Sequence, residues 1–428
     1  MNNKTKKTVA VIGLGYVGLP LALLASKKGY KVYGIDISEE KINLINKKES
    51  PFVDDKVSKT LKKSTMEAST DFTLCREADI LVICVPTPVY DNHMPNLEPV
   101  EGACRGIAPF IKRGQLVILE STVNPGVSED VVLPILEKES GLKAGEDFYL
   151  AHCPERINPG DKKWDVENIS RVVGSLEKNG LRIAVAFYKS LITGEVKPMG
   201  SLKEAEAVKV VENSFRDINI AFVNELAMSF SKLGIDVVSV IKGSSSKPFA
   251  FMPHYPGCGV GGHCIPVDPY YLIEYAKVKD FDHDFLSLAR RINNHMPKFT
   301  VDQAVRGLNE KKIPVKGTKV ALLGLAYKAE IDDCRESPAF KIKKLLEGYG
   351  AKVETFDPFV PEESSARSFD EALKGSKAAV IATGHKLFRE MKPSLLLKHK
   401  VEVLIDGRNC LPKEDFIKSG LIYKGIGR

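Results

Sequence analysis

A strand, a glycine-rich turn, a helix and a second strand follow one another between residues 8 and 36, and this segment constrains the fold most. The apolar run of residues 8–12 leads directly into a turn that contains Gly13, Gly15, Tyr16, Val17 and Gly18. A helix from about Leu19 to Lys28 and a strand from Lys31 to Ile35 come next. Glycines let the main chain approach a ligand, and a helix N-terminus attracts phosphate. The pattern therefore predicts an α/β, doubly wound parallel sheet of the Rossmann type that binds a dinucleotide.

Asp36 follows the second strand, where a dinucleotide site has an acidic residue. A carboxylate at this point accepts hydrogen bonds from both ribose hydroxyls and repels a 2′-phosphate, so the predicted cofactor is NAD and not NADP. The alternative is a glycine-rich turn that binds nothing. The strand before the turn, the helix after it and the position of Asp36 together argue against that alternative.

Three further apolar strands are predicted, at residues 78–85, 116–119 and 148–151, and each is followed by residues suited to ligand binding. These residues are Pro86 and Thr87, then Ser121 and Thr122, then Glu155 and Arg156. Because parallel strands end at one edge of a sheet, we expect these residues to lie at the edge where ligands bind. Taken singly, Thr122 would cap a turn and Glu155 would be exposed to solvent.

The composition limits the classes of function. A chain of 428 residues exceeds what one core supports, so two or three domains are expected. The net charge of +7 comes from scattered lysines without interleaved aromatic residues, which favours a small anionic ligand over nucleic acid. No apolar run approaches the ~20 residues of a membrane span. Eight cysteines without paired spacing indicate free thiols in a reducing compartment, hence a cytoplasmic protein.

Apolar residues recur at helical spacing from Leu202 to about Leu233. A helix this long predicts a bridge between domains or the spine of a homodimer. Lys209 and Asn213 are four residues apart and so lie on one face of it. An exposed polar stripe is the usual explanation for such a pair.

Residues 257–269 form a glycine-rich loop in which Cys264 is followed four residues later by Asp268. The pattern is typical of a reactive cysteine. One alternative is a metal site made of Cys258, His263 and Cys264, but no second pair of ligands at the required spacing accompanies it, so no metal is predicted. The other alternative is a cysteine that is merely buried.

Residues 313–317 are the predicted linker to a second α/β pattern. Its strands are predicted at residues 319–323, 352–356, 378–382 and 401–405, with a helix over residues 338–349. The turn after its first strand lacks the three-glycine spacing, so we expect a Rossmann-like sheet without the dinucleotide signature. The predicted domains are 1–200 (NAD-binding), 201–300 (central, helical) and 313–428 (second α/β domain).

Six motifs occur in one order along the chain: GLGYVGLP, CVPTP, EST, the Lys209/Asn213 helix, GVGGHCIPVDP and LGLAYKAEIDDCRESP. Through them the chain resembles the UDP-glucose/GDP-mannose dehydrogenase family over nearly its whole length. The resemblance implies two Rossmann-like domains bridged by a long central helix and a dimerisation segment, with a UDP-sugar held by the C-terminal domain. It also implies oxidation of the C6 hydroxyl of the sugar to a carboxylate in two NAD-dependent steps.

The resemblance further implies roles for individual residues. Cys264 corresponds to the nucleophile, Lys209 and Asn213 to the groups that stabilise charge on the C6 oxygen, and Glu155, Thr122 and Asp268 to the groups that handle water and protons. Residues implied to contact the cofactor include Arg335. Residues implied to contact the substrate are Glu155, Arg156, Lys209, Asn213, Phe249, Tyr255, Gly261, Lys328 and Arg408.

The identity of the sugar is predicted from two local features. UDP-glucose dehydrogenases have lysine where this chain has Val267, which argues against UDP-glucose. The aromatic and apolar segment 247–257 resembles that of enzymes acting on UDP-N-acetylhexosamines, UDP-N-acetylglucosamine above all; UDP-N-acetylmannosamine enzymes more often have arginine where this chain has Phe249. An apolar pocket would accommodate an acetamido methyl group.

Two other functions have to be distinguished from a four-electron nucleotide-sugar dehydrogenase. A two-electron hydroxyacid dehydrogenase would need neither the cysteine nor a second α/β domain. A non-catalytic NAD-binding regulator would have no reason to keep Cys264, Lys209, Asn213 and Glu155 together. Two NADH per sugar would indicate the first function, one the second, and none the third.

Overall fold

The structure is a computed structural model that describes residues 7–52, 54–90, 94–157, 163–262 and 264–428. Contacts divide it into two compact units. The first contains the chain up to Glu212 together with Tyr270–Phe281, and the second contains Asn213–Pro269 with Asp282–Arg428. The three-part division at residues 1–200, 201–300 and 313–428 stays a prediction. No helix within the described ranges is long and apolar enough to cross a membrane.

The first unit is built on a twisted sheet. Its strands are β1 (Thr8–Ile12), β2 (Lys31–Ile35), β3 (Glu67–Ser69), β4 (Ile80–Ile83), β5 (Leu116–Leu119), β6 (Tyr149–His152), β7 (Arg171–Ser175) and β8 (Val196–Pro198). They lie in the order β3-β2-β1-β4-β5-β6-β7-β8, and only the β6–β7 pair is antiparallel. The first six strands have the strand order of dinucleotide-binding domains, whose ligand lies where the order reverses, between β1 and β4.

Helices cover both faces of this sheet, which explains why its strands are almost continuously apolar. The helices are α1 (Gly18–Lys27), α2 (Glu39–Asn46), α3 (Asp55–Leu61), α4 (Glu98–Ile107), α5 (Leu133–Ser140) and α6 (Lys178–Leu191). Val9 and Val11 pack into the core with α1 and α6, whereas Ala10 and Ile12 pack on the opposite face with α4 and α5. Alternate residues of a strand point to opposite faces, so the strand must be apolar on both.

The predicted long helix is present as α7 (Leu202–Leu233). Its residues up to Glu212 belong to the first unit and those from Asn213 to the second. Three shorter helices follow α7 in the chain: α8 (Val237–Ser244), α9 (Asp268–Lys277) and α10 (Asp284–Glu310).

The second unit contains a five-stranded parallel sheet. Its strands are β9 (Lys319–Leu323), β10 (Lys352–Phe356), β11 (Ala378–Ile381), β12 (Val403–Asp406) and β13 (Ile422–Gly425), in the order β10-β9-β11-β12-β13. The remaining helices are α11 (Pro338–Gly348), α12 (Phe369–Leu373), α13 (Lys386–Arg389), α14 (Pro393–Lys398) and α15 (Lys413–Lys418). The order of the strands reverses between β9 and β11, which makes their carboxyl ends the expected ligand site. The prediction of two Rossmann-like sheets is confirmed.

The sequence pattern predicts a helix over residues 285–296, but the helix continues through Pro297 to Glu310. Proline normally ends a helix because it lacks an N–H group. Here the residues beyond it, Val301, Ala304 and Leu308, form an apolar stripe that is buried against the second sheet. Burial of that stripe stabilises the continued helix more than the lost hydrogen bond destabilises it.

Candidate active site

The glycine-rich turn joins β1 to α1 at the carboxyl edge of the first sheet. Gly13 has a φ of 93°, and its N–H donates to the main chain at the end of β2 at 2.7 Å. An added Cβ at Gly18 would lie 1.9 Å from the Gly13 carbonyl oxygen, whereas one at Gly15 would meet no protein atom within 4 Å. Tyr16 and Val17 complete the turn, and Val17 is the N-cap of α1. The open space at Gly15, next to a helix N-terminus, fits a pyrophosphate.

Asp36 lies at the end of β2 and is 7% exposed. Its Oδ2 accepts the N–H of Leu14 at 2.8 Å, and its Oδ1 accepts the N–H of Ser38 at 3.0 Å. These bonds hold the carboxylate against the glycine turn, where an adenine ribose would lie. Lys41, which belongs to none of the sequence motifs, places Nζ 3.4 Å from Oδ2. Its positive charge offsets part of the repulsion that Asp36 would exert on a 2′-phosphate.

The predicted residues after β4 and β5 lie at the same edge of the sheet. Pro86 and Thr87 follow β4, and Ser121 and Thr122 follow β5, which pairs with β4 in parallel. The Ser121 hydroxyl donates to the main-chain carbonyl of residue 85 at 2.7 Å, which ties the two strand ends together. The Thr87 carbonyl accepts the hydroxyl of Tyr271 on α9. Four residues that are predicted to contact the cofactor therefore lie at the carboxyl ends of two neighbouring strands.

Glu155 is buried, which contradicts the reading of this residue as an exposed glutamate. Its Oε1 accepts two main-chain N–H groups at 2.6 Å, from Arg156 and Ile157. Its Oε2 lies 2.6 Å from Nη2 of Arg171. A carboxylate held in one orientation by a cation and two amides is pre-organised in the way that a catalytic group requires.

Arg156 is engaged within the first unit. Its guanidinium forms an ion pair with Glu212, with Nε 3.2 Å from Oε2, and Nη1 donates to the Ser170 carbonyl at 3.0 Å. The pairing places this arginine at the end of the α7 segment that carries Lys209. Its contact with substrate stays a prediction.

Sequence reasoning missed two buried groups beside Glu155. Arg171 opens β7 with no exposed surface, and its Nη1 lies 3.3 Å from Oε2 of Glu120. Glu120 also accepts the hydroxyl of Tyr188 on α6. The sequence does contain a signal for them: Glu120 directly follows β5 and Arg171 begins β7, and both strands are otherwise apolar. Charged residues in such positions are buried only when they are paired with each other or with another charge.

Three of the predicted catalytic residues come together in the second unit. Cys264 is half-exposed, and its carbonyl accepts the N–H groups of Val267 at 3.0 Å and Asp268 at 2.7 Å, so α9 begins beside it. Asp268 is 3% exposed, and its Oδ2 accepts the side-chain amide of Asn213. Lys209 lies on α7 one turn before Asn213, in the first unit. That Lys209, Glu155 and Thr122 face this thiol stays a prediction.

Hydrogen bonds hold the first two residues of the cysteine loop. The N–H of Gly257 donates to Oδ1 of Asn224 on α7 at 3.0 Å, and the N–H of Cys258 donates to the Gly407 carbonyl at 2.8 Å. Cys258 is fully buried in the second core, with Sγ 3.4 Å from the Ala382 carbonyl. Of the two cysteines in the loop, Cys258 is therefore structural.

Two C-terminal residues predicted to reach the substrate or cofactor, Arg335 and Arg408, form hydrogen bonds with the middle of this loop. The N–H of Gly262 donates to the Arg335 carbonyl at 3.0 Å, and Nη1 of Arg408 donates to the Gly259 carbonyl at 3.3 Å. The guanidinium of Arg335 pairs with Asp333, with Nε 2.9 Å from Oδ1. Gly261 packs tightly: an added Cβ would lie 2.8 Å from the Cβ of Tyr327. Lys328 follows in the same turn after β9 and is half-buried.

Two aromatic side chains of the segment before the loop are largely exposed. Phe249 is 68% exposed and Tyr255 is 52% exposed. The ammonium of Lys247 lies 4.7 Å from the centre of the Phe249 ring, which is a contact at the surface. Contact of Phe249 and Tyr255 with a sugar stays a prediction.

The turn after β9 repeats the geometry of the first turn with a different occupant. Oδ2 of Asp357, at the end of β10, accepts the N–H of Leu325 at 2.6 Å, as Asp36 accepts that of Leu14. The same oxygen lies 3.0 Å from Nε2 of the buried His385. Because His385 already forms a hydrogen bond with the carboxylate that would hold a ribose, the second sheet is unsuited to a dinucleotide.

In the described ranges, which omit His263 among other residues, no three His, Cys, Asp or Glu side chains are grouped so that they could hold a metal ion. All eight cysteines lie in described residues, and no disulfide joins any two of them.

Family models match the chain in three consecutive parts. Residues 7–192 match the NAD binding domain of the UDP-glucose/GDP-mannose dehydrogenase family, residues 203–295 its central domain, and residues 321–413 its UDP binding domain. The first match agrees with the open glycine turn and with Asp36, so NAD is the cofactor.

Individual relatives are similar over almost their whole length. A solved structure described as the UDP-D-ManNAc dehydrogenase of Pyrococcus horikoshii superposes with a TM-score of 0.93 at 36% identity, covering 98% of this chain and 99% of that one. The UDP-N-acetyl-D-glucosamine 6-dehydrogenase of Pseudomonas aeruginosa is 37% identical over 391 residues, 90% of this chain and 92% of its own. A solved NDP-N-acetyl-D-galactosaminuronic acid dehydrogenase of Methanosarcina mazei has a TM-score of 0.87 at 34% identity, covering 99% and 96%.

Proposed function

This chain belongs to the UDP-glucose/GDP-mannose dehydrogenase family, and on that premise we propose that it oxidises the C6 hydroxyl of a UDP-N-acetylhexosamine to a carboxylate. One observation carries the proposal: the half-exposed Cys264 lies where α9 begins, next to the hydrogen-bonded pair Asn213 and Asp268. The positive end of a helix dipole favours negative charge, which suits a thiolate nucleophile.

A four-electron oxidation explains why a cysteine is needed. Removal of a hydride and a proton from the C6 alcohol gives an aldehyde, which cannot lose a second hydride until a nucleophile adds to it. Addition of the Cys264 sulfur gives a thiohemiacetal, and loss of a second hydride and proton gives a thioester. Water then attacks the thioester carbon, the thiolate leaves, and the carboxylate is released. Bound NAD supplies the hydride acceptor for each of the two oxidations.

The other predicted residues have separate tasks in this scheme. Lys209 and Asn213 stabilise negative charge on the C6 oxygen, and donors aimed at such an oxygen are worth ~3 kcal/mol each. Asn213 gives one amide hydrogen to Asp268, and an amide has a second one to donate. Glu155, Thr122 and Asp268 position water and take up its proton. The product is a nucleotide-linked uronic acid, a precursor for polysaccharide synthesis.

UDP-N-acetylglucosamine is our first choice of substrate. It is supported by the 37% identity to the Pseudomonas aeruginosa relative and by the segment 247–257. UDP-N-acetylmannosamine is the alternative, because the Pyrococcus horikoshii relative matches across a larger share of the chain. UDP-N-acetylgalactosamine is a third candidate, and UDP-glucose is expected to be poor. One methyl group in an apolar pocket is worth only ~1–3 kcal/mol, so minor epimers should also react.

We also propose that two copies of the chain associate through α7. Val211, Phe215 and Phe222 are 55%, 49% and 53% exposed and follow one another at helical spacing along this helix. Large apolar side chains in a continuous stripe typically mark an interface between proteins. Cysteines without disulfides suit a reducing compartment, so we place the reaction in the cytoplasm.

The function is tested with four substrates, UDP-N-acetylglucosamine, its manno and galacto epimers, and UDP-glucose, by following NADH absorbance to completion. We expect two NADH per sugar and the highest kcat/KM with UDP-N-acetylglucosamine. One NADH per sugar would indicate a hydroxyacid-type dehydrogenase, and none would indicate a regulator. A tenfold preference for UDP-glucose, about 1.4 kcal/mol, would refute the sugar assignment and leave the cysteine chemistry intact.

A further inference from the structure

A buried cluster behind Glu155 contains one cation and two carboxylates. Arg171 has no exposed surface and lies 2.6 Å from Glu155 and 3.3 Å from Glu120, whose side chain is also fully buried. Within the described residues, no guanidinium nitrogen of Arg171 makes an aligned hydrogen bond. The two carboxylates therefore hold the arginine mainly through charge.

The charges of this cluster do not balance if both carboxylates are ionised. An uncompensated buried charge is strongly unfavourable, so one of the carboxylates is expected to hold a proton. The other groups that face Glu120 are Cys84, at 3.9 Å from Oε2, with Cys153 and Tyr188. Burial raises the pKa of all three of these groups, so they stay neutral and add no positive charge.

Glu120 is the better proton holder of the two carboxylates. Two main-chain N–H groups donate to Oε1 of Glu155 at 2.6 Å, and two donors match an oxygen that only accepts hydrogen bonds. Glu120 has the longer contact with Arg171. Burial raises the pKa of Glu120 to about 7, even though Arg171 and the hydroxyl of Tyr188 both act to lower it.

We propose that Arg171 is a positioning residue for Glu155 and that Glu120 holds the proton of the cluster, so that Glu155 remains an oriented carboxylate at neutral pH. This inference rests on the proposed role of Glu155 in thioester hydrolysis. In that step Glu155 takes a proton from water, the water oxygen bonds to the thioester carbon, and the bond from that carbon to the Cys264 sulfur breaks. The two hydride transfers do not need Glu155, so they should tolerate its displacement.

The first experiment needs no substrate and tests Glu120. The unfolding temperature of Glu120→Gln is compared with the wild type between pH 4.5 and 8. A carboxyl whose pKa is raised in the folded state contributes stability that is present below about pH 4.5 and is lost as the pH rises through about 7. The variant should therefore gain stability relative to the wild type across this range. A constant difference would overturn the assignment of the proton to Glu120.

The matched control is Glu101→Gln, because Glu101 forms an exposed ion pair with Arg105 on α4. Its unfolding temperature should differ from the wild type by an amount that hardly changes between pH 5 and 8. A pH dependence equal to that of Glu120→Gln would show that any lost carboxylate has this effect, and would refute the buried-proton argument.

The second experiment tests Arg171 with Arg171→Lys, which keeps the charge but cannot reach both carboxylates. In a rapid-mixing assay we expect a burst of two NADH per active site, followed by steady turnover about 10- to 100-fold slower than wild type, a part of what a general base contributes. The KM values should change little. A slow steady rate without a burst would indicate a merely structural role.

Failure of this inference and failure of the proposed function give different results. If the wild type oxidises none of the four nucleotide sugars, the proposed function is wrong, and the pH dependence of unfolding still tests the cluster. If Arg171→Lys is too unstable to assay, the steady rates of the wild type and of Glu120→Gln are compared between pH 6 and 8. Ionisation of Glu120 as the pH rises through about 7 adds a second negative charge that competes for Arg171, so the wild type should slow relative to the variant, whose amide stays neutral. An equal change of rate in both proteins would contradict the proposal.

Discussion

Gly15 and Gly18 occupy the same turn but are predicted to serve different purposes, which a single methyl group at each position can separate. An added Cβ at Gly18 would lie 1.9 Å from the carbonyl oxygen of Gly13 and 3.0 Å from the Cβ of Cys84. The first contact is with main chain, which cannot rotate away. An added Cβ at Gly15 would meet no atom of the protein within 4 Å. Gly18→Ala should therefore disturb the fold, and Gly15→Ala should disturb only the ligand.

The cost to stability follows from the contact at Gly18. Overpacking a well-packed site costs about 1–3 kcal/mol, and a main-chain contact this short belongs at the upper end of that range. For a cooperative unit of about 150–250 residues, 1 kcal/mol lowers Tm by roughly 2–4 °C. Gly18→Ala is therefore expected to lower the Tm of the first unit by about 6–12 °C. Gly15→Ala should leave Tm within about 1–2 °C of wild type, because its φ is not in the left-handed region.

The cost to NAD binding is expected at Gly15. A methyl group there occupies the space in which a pyrophosphate would approach the main chain, so at least one charge-assisted hydrogen bond is lost, worth about 1.5–3 kcal/mol. At 1.4 kcal/mol per tenfold, the Kd for NAD should rise roughly 10- to 150-fold.

Scanning fluorimetry and calorimetric titration with NAD measure the two effects separately. An unchanged Kd in Gly15→Ala would refute the assignment of this turn to the pyrophosphate. An unchanged Tm in Gly18→Ala would show that the turn can relax and that the packing argument is wrong.

Three further predictions concern the thiol, the ribose and the α7 surface. Cys264→Ser should bind NAD and nucleotide sugar normally but lose steady turnover by at least about 100-fold, and full activity of this variant in an NADH assay would exclude the cysteine mechanism. Cys258→Ser should keep its activity and lose only ~1 kcal/mol of stability, because its hydroxyl can still donate to the carbonyl that the buried thiol reaches. Asp36→Ala should raise the KM for NAD at least several-fold and lessen the preference over NADP, and unchanged NAD kinetics would mean that the carboxylate does not face the ribose. Phe215→Asp with Phe222→Asp should convert a dimer to a monomer in light scattering, and a wild-type monomer at micromolar concentration would contradict the proposed interface.

Much of the fold was predictable because it depends on contacts that are local along the chain. The limits of β1, β2, β9 and β10 agree residue for residue with the strands predicted from the sequence. The long helix α7 also agrees, since its apolar residues recur at a spacing that only a helix brings to one face. The strand predicted over residues 78–85 is shorter, Ile80–Ile83, because an apolar run shows where a chain is buried and not where its ladder of hydrogen bonds ends.

Some features of the candidate site and its surroundings could likewise be predicted from the sequence, and others could not. The glycine turn, Asp36 and the cysteine loop could be found from the sequence because each is a short motif whose chemistry requires a fixed spacing. The continuation of α10 through Pro297 could not, because only the second sheet buries the stripe beyond the proline.

The sequence by itself determined two largely parallel sheets and a dinucleotide turn, and it predicts a reactive cysteine, because these follow from periodicity and spacing within short segments of the chain. Only the tertiary structure decided that Glu155 is buried and that Arg171 lies between it and Glu120. These three residues are far apart in the chain and meet because β5, β6 and β7 are neighbours in the sheet. The physical reason is that a buried charge is tolerated only beside its counter-charge, and strand order, which no local pattern records, selects that partner.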